Sequence, residues 1–291
     1  MQTTITLETA LTDFLTSLRA RNASVLTQEA YQTDIRQFIT WQAEVSVVGQ
    51  HVTSVTKTDL IEYLSYLASL GRSGVTRARK LASLREFFAF LHERELIPSS
   101  PAATVAIPKK ERKAQTFLRP EEYARLLSTA GSHPRDFAIL QLFLQTGIRV
   151  SELVQLTLRD VDLVGKAIKV SGKGSKERSI PLEKKAVLAL KNYVSVRPQS
   201  LDQHFFLNYT GTGLSRRGAE KIIEKYRRLS GITKRFSCHS LRHTFGSYKA
   251  EQGVSPFQIK EWMGHSSISV TQLYVHMSKE SARRAMEQTS L

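Results

Sequence analysis

Four of the eight prolines in this 291-residue chain, Pro98, Pro101, Pro108 and Pro120, fall within 23 residues. Proline lacks an N–H and locks φ, so neither a helix nor a central strand runs through such a stretch. The segment from Ser100 to Pro120, SPAATVAIPKKERKAQTFLRP, has no helical periodicity and carries Lys109, Lys110, Arg112 and Lys113. The chain must therefore fold as two bodies on either side of a basic connection. The expected division is residues 1–105, a linker over 106–116, and residues 117–291.

Before the prolines the apolar residues recur at helical spacing. Leu7, Leu11, Phe14, Leu15 and Leu18 make one stripe, and Tyr31, Ile35, Phe38 and Ile39 a second. A third spans Leu60 to Leu70 and stops at Gly71. The fourth passes through Leu81, Leu84, Phe87, Phe88 and Leu91. Four such helices predict a small bundle-like domain. Arg72, Arg77, Arg79, Lys80 and Arg85 lie on its polar side, either as a DNA-facing patch or as a solvated face.

After the linker the pattern is mixed. Helices are expected over Pro120–Ala130, over Asp136–Gln145 and again from Lys184 onward. Between them AIKVSGKGSKERSIPL alternates and turns, predicting two short strands near 167–171 and 178–182. The fold class is thus mainly α with a small β-hairpin: an N-terminal four-helix domain and a C-terminal α+β domain. A short helix around Tyr274 is signalled by Ser269 and Gln272, which stand at capping-box spacing.

Composition supplies the first functional constraint. A 41% hydrophobic and 23% charged chain is a folded globular protein. No apolar run approaches the ~18 residues of a membrane span. The single Cys238 excludes an intramolecular disulfide, and cytoplasm is the expected compartment. The net charge is +16 and unevenly placed. Ten basic and ten acidic residues precede residue 108, so the remaining 32 and 16 carry the whole excess. Such a field attracts polyanions, nucleic acid above all.

Four clusters in the second half place cations and proton carriers beside helix ends or tight turns: TGIRVSEL with Arg149, GKGSKER with Lys173, HSLRH with His239 and Arg242, and MGHSSISVTQLYVH with His265 and Tyr274. Each taken alone has an ordinary structural explanation. Arg149 could simply pair with Glu152, Lys173 could be an exposed hairpin lysine, and Tyr274 could be a packing residue. His239 and His243 at i, i+4 spacing could share a metal, but no Cys pair or acidic cluster completes a shell. Cys238 sits in no cysteine-hydrolase signature. No P-loop or dinucleotide fingerprint is present, so no nucleotide cofactor is expected.

Together and in this order the four clusters resemble the tyrosine recombinase, or phage-integrase-type, family, and among it the bacterial Xer-like members. The family pattern is T-G-x-R-x-x-E-L, G-K-G-x-K-x-R, H-x-L-R-H, G-H, and a tyrosine nine residues past that histidine. The resemblance is close over residues ~117–276, and the helical first domain fits the family's core-binding half. One departure is Arg119 before Pro120, where relatives often have Ser or Thr, which weakens one helix cap. The resemblance implies a two-domain DNA clamp, no cofactor or metal, and six catalytic positions: Arg149, Lys173, His239, Arg242, His265 and Tyr274. It also implies double-stranded DNA with a specific recombination site as partner, and a homo-tetramer, or a hetero-tetramer with a sister recombinase, working through a Holliday junction. The tail Ser278–Leu291, with Ala282, Ala285 and Met286 on one face, would dock on a neighbouring subunit.

The chemistry is consistent with those residue types. A tyrosine with a pKa near 10 is deprotonated about once in 10³ molecules at pH 7, a deficit of roughly 4 kcal/mol that nearby cations reduce. Two arginine forks suit non-bridging phosphate oxygens, histidines titrate near neutrality, and a lysine can protonate the leaving 5′-oxygen. Two other readings use the same residues: a type IB topoisomerase-like DNA-relaxing enzyme, disfavoured by the small helical first domain, and a catalytically silent DNA-binding protein, disfavoured by the six intact positions.

Overall fold

The computed structural model describes residues 5–45, 50–109, 116–172 and 177–264. The chain forms two compact units divided between Lys113 and Ala114. Each has its own core.

The first unit contains α1 (Leu7–Ala20), α2 (Val25–Val45), α3 (Lys57–Ser69) and α4 (Gly74–Glu93). The apolar stripes are the buried faces: Leu11, Phe14, Ile35, Phe38, Leu60, Leu84, Phe87 and Phe88 are all essentially inaccessible. Thr56 and Asp59 form a reciprocal capping box that starts α3, and Ser73 caps α4. Gly71, at φ 70°, lets the chain leave α3, a left-handed conformation that suits glycine. Past α4, Ala102 and Val105 are buried in the same core, and Arg85 donates to both of their carbonyls. The first part of the proline-rich stretch is therefore packed onto this unit.

A buried carboxylate joins α2 to α4. Asp34 is 1% exposed and accepts from Lys80 Nζ at 2.9 Å, from Ser83 Oγ at 2.9 Å and from Arg79 Nη1. Lys80 is itself buried, with its ammonium also bonded to Gln37 Oε1. Lys80 thus lies inside the unit, because Asp34 supplies the counter-charge that makes burial of an ammonium tolerable. Arg72 and Arg79 are exposed and Arg77 is half-buried.

The second unit is built around α6 (Pro134–Thr146), whose Ala138, Ile139, Leu140, Leu142 and Phe143 are fully buried. Around it pack α5 (Pro120–Ala130), α8 (Lys184–Val196) and α10 (Cys238–Glu251), with α7 (Val150–Gln155), α9 (Arg216–Leu229) and α11 (Pro256–Met263) completing the helices. A small antiparallel sheet runs in the order β1 (Val161–Asp162), β2 (Ala167–Ser171), β3 (Glu177–Pro181). Its register pairs Ile168 with Ile180 and Val170 with Arg178. Ile168, Val170 and Ile180 face the core, while Lys169 and Glu177 form an exposed cross-strand ion pair. The third strand begins one residue earlier than its alternation suggests. Arg119 gives α5 no side-chain cap, but Glu122 accepts from the Arg119 N–H at 2.7 Å and from Lys234, which compensates. Among the described residues no helix is long and apolar enough to cross a membrane.

Removing Asp34 leaves a buried ammonium without its carboxylate. Asp34→Ala should therefore destabilise the first unit by about 3–5 kcal/mol. Hydrogen–deuterium exchange in the full chain should show α2 and α4 losing protection while α6 keeps its own.

Candidate active site

The site begins where α6 ends. Gly147 terminates that helix in the left-handed conformation, φ 59°, with its N–H on the Phe143 carbonyl at 3.1 Å. A side chain there would also collide with its surroundings, since a Cβ would lie 2.5 Å from the Phe245 ring. Glycine is thus required by both conformation and space. The sharp exit buries Ile148 and sets Arg149 at the N-cap of α7. Glu152, three residues on, accepts from the Arg149 backbone N–H at 2.9 Å and from its Nη1 at 2.7 Å.

Glu152 is 4% exposed, and its second cationic partner comes from β3. Arg178 donates Nη1 to Oε1 at 2.8 Å and Nη2 to Oε2 at 2.9 Å. Burial pushes the Glu152 carboxyl up, but hydrogen bonds from Arg178 and from the Arg149 backbone, with the nearby positive charge, outweigh it. The carboxyl ends below its ordinary value. Glu152 is therefore an anion at neutral pH.

The remaining parts come from α10 and α11. Ser237 caps α10, accepting from the Ser240 N–H, so His239 and Arg242 fall in its first turns. Arg242 is 2% exposed; its Nη1 donates to the Gly147 carbonyl and its Nη2 to the Met263 carbonyl, each at 2.6 Å. α11 ends at Gly264 in the left-handed conformation, φ 64°. Its last carbonyls meet guanidinium groups in succession. The Trp262 carbonyl accepts from Arg178 Nε at 2.9 Å, the Met263 carbonyl from Arg242, and the Gly264 carbonyl from Arg149 Nη2. Carbonyls left over at a helix C-terminus carry partial negative charge, so cations are favourable there.

His239 is exposed on its outer side and packs edge-on against His243, with ring centroids 4.3 Å apart. Desolvation and then the positive charge of Arg242 and Arg149 lower its pKa, so it is neutral at pH 7. His243 is pushed down to about 4 by burial and by His239. Arg149, Ser151, Arg216, Ser237, His239 and Arg242 line an open cleft of about 630 Å³. Cys238 also borders it, but burial pushes its thiol up to about 12, which makes it a packing residue rather than a nucleophile.

Of the six positions singled out in the sequence, the fold brings Arg149, His239 and Arg242 to this cleft. Lys173, His265 and Tyr274 lie outside the described residues, as do the tail Ser278–Leu291 and the linker cations Lys110, Arg112 and Lys113. Lys109 is exposed. Sequence reasoning missed Arg178. The signal was the final arginine of GKGSKER, which carried no role because its partners are far away in the chain.

The chain matches the Phage integrase family over residues 116–281 and the N-terminal SAM-like domain of phage integrases over residues 11–95. It is 36% identical over 280 residues to tyrosine recombinase XerC of Thermodesulfovibrio yellowstonii, covering 92% of this chain and 91% of that protein. It is 34% identical to tyrosine recombinase XerD of Staphylococcus epidermidis, covering 89% and 90%. Among solved structures, the Tn1549 transposon integrase in complex with circular intermediate DNA superposes with a TM-score of 0.79 at 22% identity, over 97% of this chain and 99% of that one. The chain belongs to the phage integrase family. Relatives within that family include tyrosine recombinases of the XerC and XerD types.

Two outcomes follow from this geometry. Gly147→Ala forces a left-handed alanine, costing about 1–2 kcal/mol, and displaces Phe245, adding about 1–3 kcal/mol of overpacking. The urea midpoint of the second unit should fall accordingly. Because the folded pKa of Glu152 is depressed, its contribution is present above the unfolded value of about 4.3 and is lost as pH falls through the lower folded value. Glu152→Gln should flatten that acid limb of the stability–pH curve and lower stability at pH 7.

Proposed function

We propose that this protein is a site-specific DNA recombinase whose nucleophile is Tyr274. The observation that supports it most directly is the pair Arg149 and Arg242. These guanidiniums, from sequence positions 93 residues apart, are held by one set of backbone carbonyls at an open cleft shared with a neutral histidine.

In this reading the Tyr274 Oη bonds to the scissile phosphorus and the P–O5′ bond breaks. A 3′-phosphotyrosine and a free 5′-hydroxyl result. Arg149 and Arg242 stabilise charge on the non-bridging oxygens as it develops. His239, neutral at pH 7, accepts the phenolic proton or hydrogen-bonds the phosphate, and His265 shares that work. Lys173 gives its proton to the departing 5′-oxygen. The phosphotyrosine conserves the energy of the broken ester, so religation to another 5′-hydroxyl needs no nucleotide hydrolysis and no metal.

Residues 1–105 then serve as the core-binding domain, 106–116 as a basic linker and 117–291 as the catalytic domain. Arg72, Arg77, Arg79, Lys109, Lys110, Arg112 and Lys113 contact DNA phosphates, with Lys80 supporting them from inside. Strand exchange between two duplexes requires four active sites, so the working species on paired sites is a tetramer, of identical subunits or with a sister recombinase. Such a protein acts in the cytoplasm, where the DNA is.

The decisive experiment incubates the protein with a nicked cognate site in EDTA and looks for an SDS-resistant protein–DNA adduct. The adduct should form with the wild-type protein and vanish in Tyr274→Phe; an adduct that persists in that variant disproves the assigned nucleophile. The cleavage rate should hold as pH falls past the ordinary histidine value of about 6.5 and decline only below it, because the His239 pKa is lowered. Replacing His239 with Gln should remove that decline. Binding should weaken by about 10³-fold or more between 50 and 200 mM salt if six or more phosphates are contacted.

A further inference from the structure

Three guanidiniums meet the end of α11, but the proposed chemistry uses only Arg149 and Arg242. Arg178 has no part in it, yet it is held from two sides. Its side chain is 14% exposed, its fork lies across both oxygens of Glu152, and its Nε reaches the Trp262 carbonyl. The backbone is packed against it as well: a Cβ on Gly264 would lie 2.8 Å from its Nη1.

The arrangement divides one carboxylate between two arginines. A carboxylate offers about four acceptor sites. Arg178 takes one on each oxygen, while the Arg149 backbone N–H takes another on Oε2 and Arg149 Nη1 another on Oε1. Only one side-chain nitrogen of Arg149 is therefore committed to Glu152. Without the Arg178 fork, both oxygens would be open to a bidentate grip by Arg149, which would turn that guanidinium toward Glu152 and away from the cleft. Arg178 also ties Glu152 to α11, whose next carbonyls receive Arg242 and Arg149.

We propose that Arg178 is a positioning residue: by occupying both oxygens of Glu152 and the Trp262 carbonyl, it aims the Arg149 guanidinium at the scissile phosphate. This inference rests on the recombinase reading above. A competing route exists, because Arg178 is five residues from Lys173 in sequence and could act through that lysine instead.

The test uses the full chain and single-turnover cleavage of a nicked cognate site. R178K keeps a positive charge beside Glu152 but has no fork; circular dichroism melting establishes that it folds. Its cleavage should be slower by about 10- to 100-fold, the usual range for a supporting residue behind a functional group. The deficit should shrink on a methylphosphonate at the scissile position, where a methyl replaces one non-bridging oxygen and removes the charge that Arg149 stabilises. On the ordinary phosphodiester, R149A/R178K should be no slower than R149A alone, since the second change acts only through the first. A purely structural defect would slow both substrates equally and add to R149A, and either result overturns the proposal. So would wild-type cleavage by R178K. A deficit cured by a 5′-bridging sulfur, which leaves as a thiolate without needing a proton, would also overturn it by placing the effect on Lys173. If the wild-type protein makes no Tyr274-dependent adduct, the recombinase reading itself fails.

Discussion

The second unit depends on how one short helix ends. α11 stops at Gly264, and its last three carbonyls face guanidiniums supplied by β3, α10 and the N-cap of α7. An unpaired helix C-terminus needs donors, and an arginine fork offers several in fixed geometry. Four segments distant in sequence are thereby joined at one point. The glycines at both junctions are part of the same constraint. Gly147 lends its carbonyl to Arg242 while leaving room for Phe245, and Gly264 leaves room for Arg178.

Among the described residues, Arg149 and Arg178 share the carboxylate of Glu152, and all three guanidiniums also donate to backbone carbonyls. Burying charge is costly unless it is paired and hydrogen-bonded, and here backbone carbonyl dipoles share that role. The result is a set of guanidiniums oriented beside an open cleft before any anion arrives. Such preorganisation is what stabilises charge that develops in a transition state. Burial first, and then the positive charge of Arg242 and Arg149, lower the His239 pKa.

The four-helix unit uses a related device. Asp34 is buried and holds one buried cation, Lys80, and one half-exposed cation, Arg79. Glu152 likewise holds Arg178, mostly buried, and Arg149, open by about a third. In both units a buried carboxylate carries one cation that fixes the framework and one directed toward solvent. Lys80 and Arg178 are cations by composition and framework groups by position.

Much of this was legible in the chain itself. The proline cluster separated two bodies, the period of the leucines and phenylalanines set the four helices, and alternation with glycines located the hairpin. These are local signals, governed by backbone geometry and by the periodicity of burial. Arg149, His239 and Arg242 were also visible, because their motifs place them at helix junctions. Partnership was not visible. That Lys80 is enclosed by Asp34, that Arg178 reaches Glu152, and that the α11 carbonyls receive three arginines all depend on residues between 21 and 115 positions apart. The sequence by itself determined the elements and the inventory of charges. Only the tertiary structure decided which charges are paired and which face a substrate, because burial and hydrogen bonding are settled by neighbours that chain order does not reveal.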